Sequence, residues 1–146
     1  MGDAAMVSET PCTCAMLRRT TRRVTQFYDY ALRPSGLRLT QYSLLANINR
    51  ADGLCITDLA ERLAMERTTL TRNLRPLEQA GWIRVAAGAN RRQRAVHITP
   101  EGSTKFEQAK PLWKAAESMF REQIGRTDTE ALRGLLDDVL ARTPAH

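Results

Sequence analysis

The 146 residues suffice for one domain with a sizeable core, and 42% hydrophobic against 26% charged residues is an ordinary globular balance. No apolar run approaches the roughly 18 to 20 residues that span a bilayer, and the N-terminus lacks the basic-then-apolar order of a signal peptide, so the expectation is a cytoplasmic protein with no membrane partner. The formal charge of +6 is concentrated: Arg67–Arg94 holds seven arginines and one acid, Glu78, while the rest of the chain balances at fifteen of each sign, a distribution that points to a polyanion met at a defined surface.

Residues 1–11 are small and polar, lack periodicity and close on Pro11, which predicts a flexible tail ahead of a single domain over 12–146. From Cys14 to Leu32, Leu17, Val24, Phe27, Tyr28, Ala31 and Leu32 recur at helical spacing opposite Arg18, Arg19, Arg22 and Arg23. That long amphipathic helix stops near Pro34-Ser35-Gly36. Thr40 is placed to cap a second helix, in which Tyr42, Leu45 and Ile48 share a face, and Ala51-Asp52-Gly53 ends it. Leu54-Cys55-Ile56 reads as a short strand and Thr57 as the next cap.

Asp58 to Ala64 is a brief helix with Leu59 and Leu63 one turn apart and acids near its N-terminus, where the helix dipole favours them. After a tight turn, Arg67 to Ala80 forms a further helix with Leu70, Leu74 and Leu77 on one side. Its other side carries Arg67, Thr68, Thr71, Arg72 and Arg75, with Thr69 beside them; Pro76 predicts a kink and Gly81 the stop. Trp82–Val85 and Ala95–Ile98 are β-prone runs joined by a segment bearing Arg91, Arg92 and Arg94, which makes an arginine-tipped hairpin. Thr99-Pro100-Glu101 opens a helix running to about Ile124, bent at Pro111. Beyond Gly125, Thr127 is placed to cap a last helix with the stripe Leu132, Leu135, Leu136, Val139 and Leu140.

A short helix, a tight turn and a second helix showing hydroxyls and guanidinium groups is the plan of a helix-turn-helix, whose second helix enters the major groove of double-stranded DNA. The hairpin that follows is a wing able to lay Arg91, Arg92 or Arg94 along the backbone or into the minor groove. The fold class expected is therefore mainly α with a small β-wing, a winged helix-turn-helix flanked by added helices. A winged-helix module that binds protein and reads no DNA sequence is the alternative, disfavoured by the arginines on the outward face. No nucleophile with a base partner, phosphate loop or catalytic metal cluster is present, so an enzyme is not expected and no cofactor is required.

Leu39-Thr40-Gln41-Tyr42-Ser43-Leu44-Leu45, Ile56-Thr57-Asp58-Leu59-Ala60-Glu61-Arg62-Leu63, Arg67 through Gly81 and Ile98-Thr99-Pro100-Glu101-Gly102 resemble, in that order, the second helix, third helix, recognition helix and wing exit of the multiple-antibiotic-resistance regulator (MarR) family. The resemblance covers about Cys14 to Leu140, with Asn90 standing before Arg91 where family members usually have an acid. It implies a homodimeric repressor on a pseudo-palindromic operator, with a DNA-binding lobe over 38–100 and dimerisation helices over 12–36 and 100–143.

Three cysteines and no secretory signal argue against a disulfide framework. Cys12 and Cys14 stand at the head of the first helix, and Cys14 resembles the cysteine of organic hydroperoxide resistance regulators, with Tyr28 and Tyr42 at matching intervals. Oxidation needs a thiolate, which a helix N-terminus and the nearby Arg18 favour. A soft ion such as As(III), Sb(III) or Hg(II) is the other thiol-directed effector, with Cys55 as third ligand if folding or a dimer brings it near. These cysteines also read simply as small hydrophobes. A small aromatic inducer in a pocket lined by Phe27, Tyr28, Tyr42 and Trp113 remains a third possibility, against the plainer reading of those rings as core.

Overall fold

The computed structural model describes residues 11–145; residues 1–10 of the expected tail and His146 lie outside the described residues. Thr13–Leu32 forms α1, and a single 3-10 turn over Arg33–Ser35 closes it, with Ser35 Oγ donating to the Leu32 carbonyl at 2.6 Å. Leu39–Arg50 forms α2, and Thr40 is not its cap. The orphan amides at this end are met from elsewhere: Asp29 of α1 accepts the Leu39 N–H at 2.7 Å and the Gln41 side chain accepts that of Arg38 at 3.0 Å.

Leu54–Cys55 is β1, Ile56–Arg62 is α3 and Arg67–Gln79 is α4. The cap of α3 is Cys55, whose Sγ accepts the Asp58 N–H at 3.5 Å, so Thr57 falls inside the first turn rather than ahead of it. Ile83–Ala87 and Arg94–Ile98 are β2 and β3, longer by two residues and one residue at the tip end than expected. The sheet is antiparallel in the order β1-β3-β2, with Leu54 opposite Val96 and Val85 opposite Val96 on the other side. Pro100–Ile124 is α5, which runs on through Pro111 as α4 runs on through Pro76. Arg126–Arg142 is α6; it starts on Gly125, at φ 95, and Thr129 rather than Thr127 bonds back, to the Gly125 carbonyl.

The leucines of α4 explain why the lobe closes. Leu70, Leu74 and Leu77 are buried with Leu45 and Ile48 of α2, Leu59 of α3, and Ile83 and Val96 of the sheet. Each such side chain stabilises by roughly 1.5 to 3 kcal/mol relative to exposure. α5 then carries the lobe outward along α1 and α2. Tyr42 stacks on Phe106 at 5.2 Å and on Trp113 at 5.6 Å, while Phe27 and Tyr28 meet Phe120 at 6.3 and 6.2 Å.

The α3–α4 turn stores strain. Ala64 sits at φ 50, the only residue other than glycine with positive φ among the described residues. Its N–H reaches the Glu61 carbonyl at 3.1 Å and the Met65 N–H that of Ala60 at 2.9 Å, the closing bonds of a helix end where glycine is usual. The left-handed conformation costs an alanine roughly 1 to 2 kcal/mol, part of which glycine returns as unfolded-chain entropy. Ala64 is exposed, so its methyl contributes no packing. Ala64→Gly is expected to raise stability by up to about 1 kcal/mol, a few degrees in Tm; a thermal melt showing a lower Tm would contradict this account of the turn.

Candidate nucleic-acid interface

Helix periodicity divides α4 into a leucine side turned to the core and a polar side turned to solvent. Arg67, Thr68, Thr71, Arg72 and Arg75 line one open depression on the surface, and all five are exposed. Thr69 is exposed as well but lies outside that group, one flank further round the helix. The wing carries Arg91, Arg92 and Arg94, all exposed. Its tip is shaped by backbone bonds: Gly88 N–H to Gln93 O at 2.7 Å and Gln93 N–H to Asn90 O at 2.8 Å, while Asn90 Oδ1 accepts the Arg92 N–H at 3.4 Å. Asn90 thus serves the turn with its amide oxygen, work that needs no charge.

The electrostatics of this surface are one-sided. Ion pairs among the described residues join His97 to Asp52, Lys110 to Glu107 and Arg133 to Glu117, and none involves an arginine of α4 or of the wing tip. Among the described residues, six guanidinium groups therefore face solvent with no acid paired to them. At the wing base, Asp52 Oδ1 accepts the Ile98 N–H at 2.9 Å and Oδ2 lies 3.3 Å from His97 Nδ1. Burial works upward on the Asp52 carboxyl, but these two bonds and the charges of His97 and Arg84 outweigh it and hold the group below its usual range.

The family model of the MarR family matches residues 37–93. The crystal structure of the M. tuberculosis transcriptional regulator MosR in complex with DNA is 36% identical, with 91% of this chain aligned to 100% of that one and a TM-score of 0.76. This chain belongs to the MarR family. A mutant MarR from E. coli complexed with operator DNA has the same fold at 21% identity, covering 87% of this chain and 92% of that one with a TM-score of 0.78. The Bacillus subtilis HTH-type transcriptional regulator YwoH is 26% identical over 119 residues, 82% of this chain and 87% of its own length. The chain is a MarR-family transcriptional regulator of the DNA-binding, winged helix-turn-helix kind.

The residues singled out as effector ligands are distributed unevenly in this MarR-family chain. Cys12 and Cys14 are exposed at the N-terminus of α1, whereas Cys55 is half-buried in β1 and capping α3. Among the described residues no three of His, Cys, Asp or Glu gather into a group that could hold a metal, so folding of the single chain does not bring Cys55 to the pair. Phe27, Tyr28, Tyr42 and Trp113 fall into two separate stacks along α5.

Two polar clusters were invisible in the sequence. One is the Asp52–His97 pair. The other centres on Glu117 of α5, which accepts the Tyr28 hydroxyl at 2.5 Å and pairs with Arg133 of α6. Burial first, then the bond to Glu117, pushes the Tyr28 phenol above its ordinary range, so that hydroxyl stays protonated and committed to Glu117.

Proposed function

We propose that this MarR-family regulator is a homodimeric repressor that grips a pseudo-palindromic operator and releases it when a thiol-directed signal reaches Cys14. One observation carries the DNA reading: Arg67, Thr68, Thr71, Arg72 and Arg75 share a single outward surface of α4, next in the chain to a wing tipped with Arg91, Arg92 and Arg94, and none of these arginines is paired with an acid among the described residues. In this reading α4 enters the major groove and the wing holds the neighbouring backbone or minor groove. The DNA complex of MosR supports the assignment.

The homodimer is supported by what the chain leaves uncovered. Leu132, Leu135, Leu136, Val139 and Leu140 of α6 are all exposed, up to 63% at Leu135, as are Met16 and Leu17 of α1. A monomer leaves these stripes wet, and a second copy would cover them by an isologous contact that sets two recognition helices roughly 34 to 36 Å apart.

Cys12 and Cys14 are accessible to oxidants and to soft ions. Cys14 lies fourteen residues, about 21 Å of helix, from Tyr28, where α1 is locked to α5. A signal there acts by changing how α1 meets the partner rather than by touching α4. An aromatic inducer is less favoured, because its candidate rings stack on one another.

A labelled duplex recovered from a random-sequence library by the wild-type protein supplies the test. Its complex is titrated with peroxide, As(III), Sb(III), Hg(II) and phenolic compounds, for the wild type and Cys14→Ser. Release by a thiol-directed agent that the variant resists is the expected result. Release by a phenolic compound from both proteins alike would transfer the sensor role to an aromatic site, and indifference of the complex to every agent would remove the cysteine reading.

A further inference from the structure

The wing is a ribbon held at one end. β2 and β3 pair along their full length, from Ile83 opposite Ile98 to Ala87 opposite Arg94, but β1 reaches only Ala95 and Val96 of β3. The inner end of β3, His97 and Ile98, therefore runs past the last residue that β1 can serve. One carboxylate from the loop after α2 takes over there: Asp52 accepts the Ile98 N–H through Oδ1 and meets His97 Nδ1 through Oδ2. Next to it, Gly53 at φ 80 donates its N–H to the Val96 carbonyl at 2.9 Å. Asp52 is a side-chain continuation of β1, supplying the oxygen that a longer strand would have offered from its backbone. The pair joins residues 45 positions apart and ties α2, which packs on α4, to the strand that leads from the arginine tip.

Leverage makes this junction matter. A five-residue ribbon reaches about 16 Å at roughly 3.3 Å per residue, so a pivot of about 10° at its base moves the tip by about 3 Å. A charge-assisted hydrogen bond, roughly 2.7 to 2.9 Å long, does not survive that displacement.

We propose that Asp52 is a positioning residue for DNA binding, which sets the angle at which the wing arginines meet the duplex by clamping His97 and Ile98. The proposal rests on the reading of the wing as a DNA clamp. It differs from a plain stabilising role in one respect: the effect of Asp52 on binding passes through the arginines at the tip.

The experiment uses the full chain and the duplex selected by the wild type, with affinity read by fluorescence anisotropy. Asp52→Ala is expected to weaken binding about tenfold, the equivalent of roughly 1.4 kcal/mol. In a background carrying Arg91→Ala, Arg92→Ala and Arg94→Ala, the same substitution is expected to cost less than about twofold, because nothing is left at the tip to aim. Asp52→Asn keeps an oxygen for the Ile98 N–H and a hydrogen-bonding amide beside His97 Nδ1, so it should recover most of the affinity. Equal losses in the two backgrounds, or unaltered binding by Asp52→Ala, overturn the proposal. If Asp52→Ala does not fold, His97→Ala measured in the same two backgrounds decides by the same criterion. Failure of the wild type to enrich any sequence strikes instead at the DNA reading, and takes the proposal with it.

Discussion

Replacing Gly102 with alanine is expected to cost this protein roughly 3 kcal/mol or more, a large part of the 5 to 15 kcal/mol that typically separates folded from unfolded domains. A Cβ at this position would lie 1.9 Å from the Trp82 carbonyl oxygen and 2.7 Å from its carbon. The obstacle is backbone, so no rotamer change relieves it. Nor is the carbonyl free to retreat, since it accepts the Thr99 N–H at 3.0 Å. Thr99 in turn donates its hydroxyl to Gly81 O at 2.6 Å and accepts the Gly102 N–H at 3.0 Å. The end of α4, the start of β2 and the start of α5 thus meet within a few residues, and a methyl group there must pry α5 off the lobe. Gly134, on α6, provides the comparison, because a Cβ added to it meets nothing within 4 Å. Gly134→Ala should stabilise the helix by about 0.5 to 1 kcal/mol. Urea unfolding of both variants, followed by circular dichroism, checks the pair, and a Gly102→Ala variant as stable as the parent would show that the junction is looser than its distances say.

The Gly102 case illustrates what could be read in the chain and what could not. Thr99-Pro100-Glu101 announced a helix start from local chemistry alone, and the structure places the Thr99 hydroxyl on the Gly102 N–H. The leucines of α4 likewise declared its inner face, because a period of 3.6 is written in consecutive residues. Why residue 102 must lack a side chain was not legible, since the reason is a carbonyl twenty positions earlier. Distance along the chain hid the candidate site's supports in the same way. Asp52 read as part of a helix stop and His97 as a strand residue, and only folding makes them partners. Tyr28, Glu117 and Arg133 come from three helices, so no spacing rule links them. Caps failed for a related reason. Thr40, Thr57 and Thr127 had the right chemistry, but Asp29, brought in by the packing of α1, and the local side chains of Gln41 and Cys55 take the amides at the starts of α2 and α3, and α6 starts without a side-chain cap. The exposed leucines of α6 are the converse: a helical stripe announces burial without saying against what, and within one chain it stays open.

Arg72→Ala and Arg92→Ala are expected to weaken DNA binding in different ways, and the difference tests the division of labour between helix and wing. Arg72 stands at the centre of the outward face of α4, beside Thr68, Thr71 and Arg75. A guanidinium there pairs bidentately with a guanine edge, so its loss should cost about 1 to 3 kcal/mol, ten- to hundredfold in affinity, at the base it reads and little elsewhere. Sequence choice then relaxes at one position of each half-site. Arg92 lies on the exposed wing turn, its backbone held by Asn90 but its charge paired with no acid among the described residues. A phosphate contact is its natural use, and removing it should weaken selected and unselected duplexes alike. The salt dependence separates the two most cleanly. Each phosphate contact releases condensed counterions, so Arg92→Ala should lower the slope of log affinity against log salt by about one per lost contact. Arg72→Ala should leave most of that slope in place while erasing a base preference. Anisotropy titrations over a salt series, on the selected duplex and on one with the half-sites scrambled, measure both quantities. Equal small losses from the two substitutions, with unchanged slopes, would mean that the arginine surface does not meet DNA in this manner.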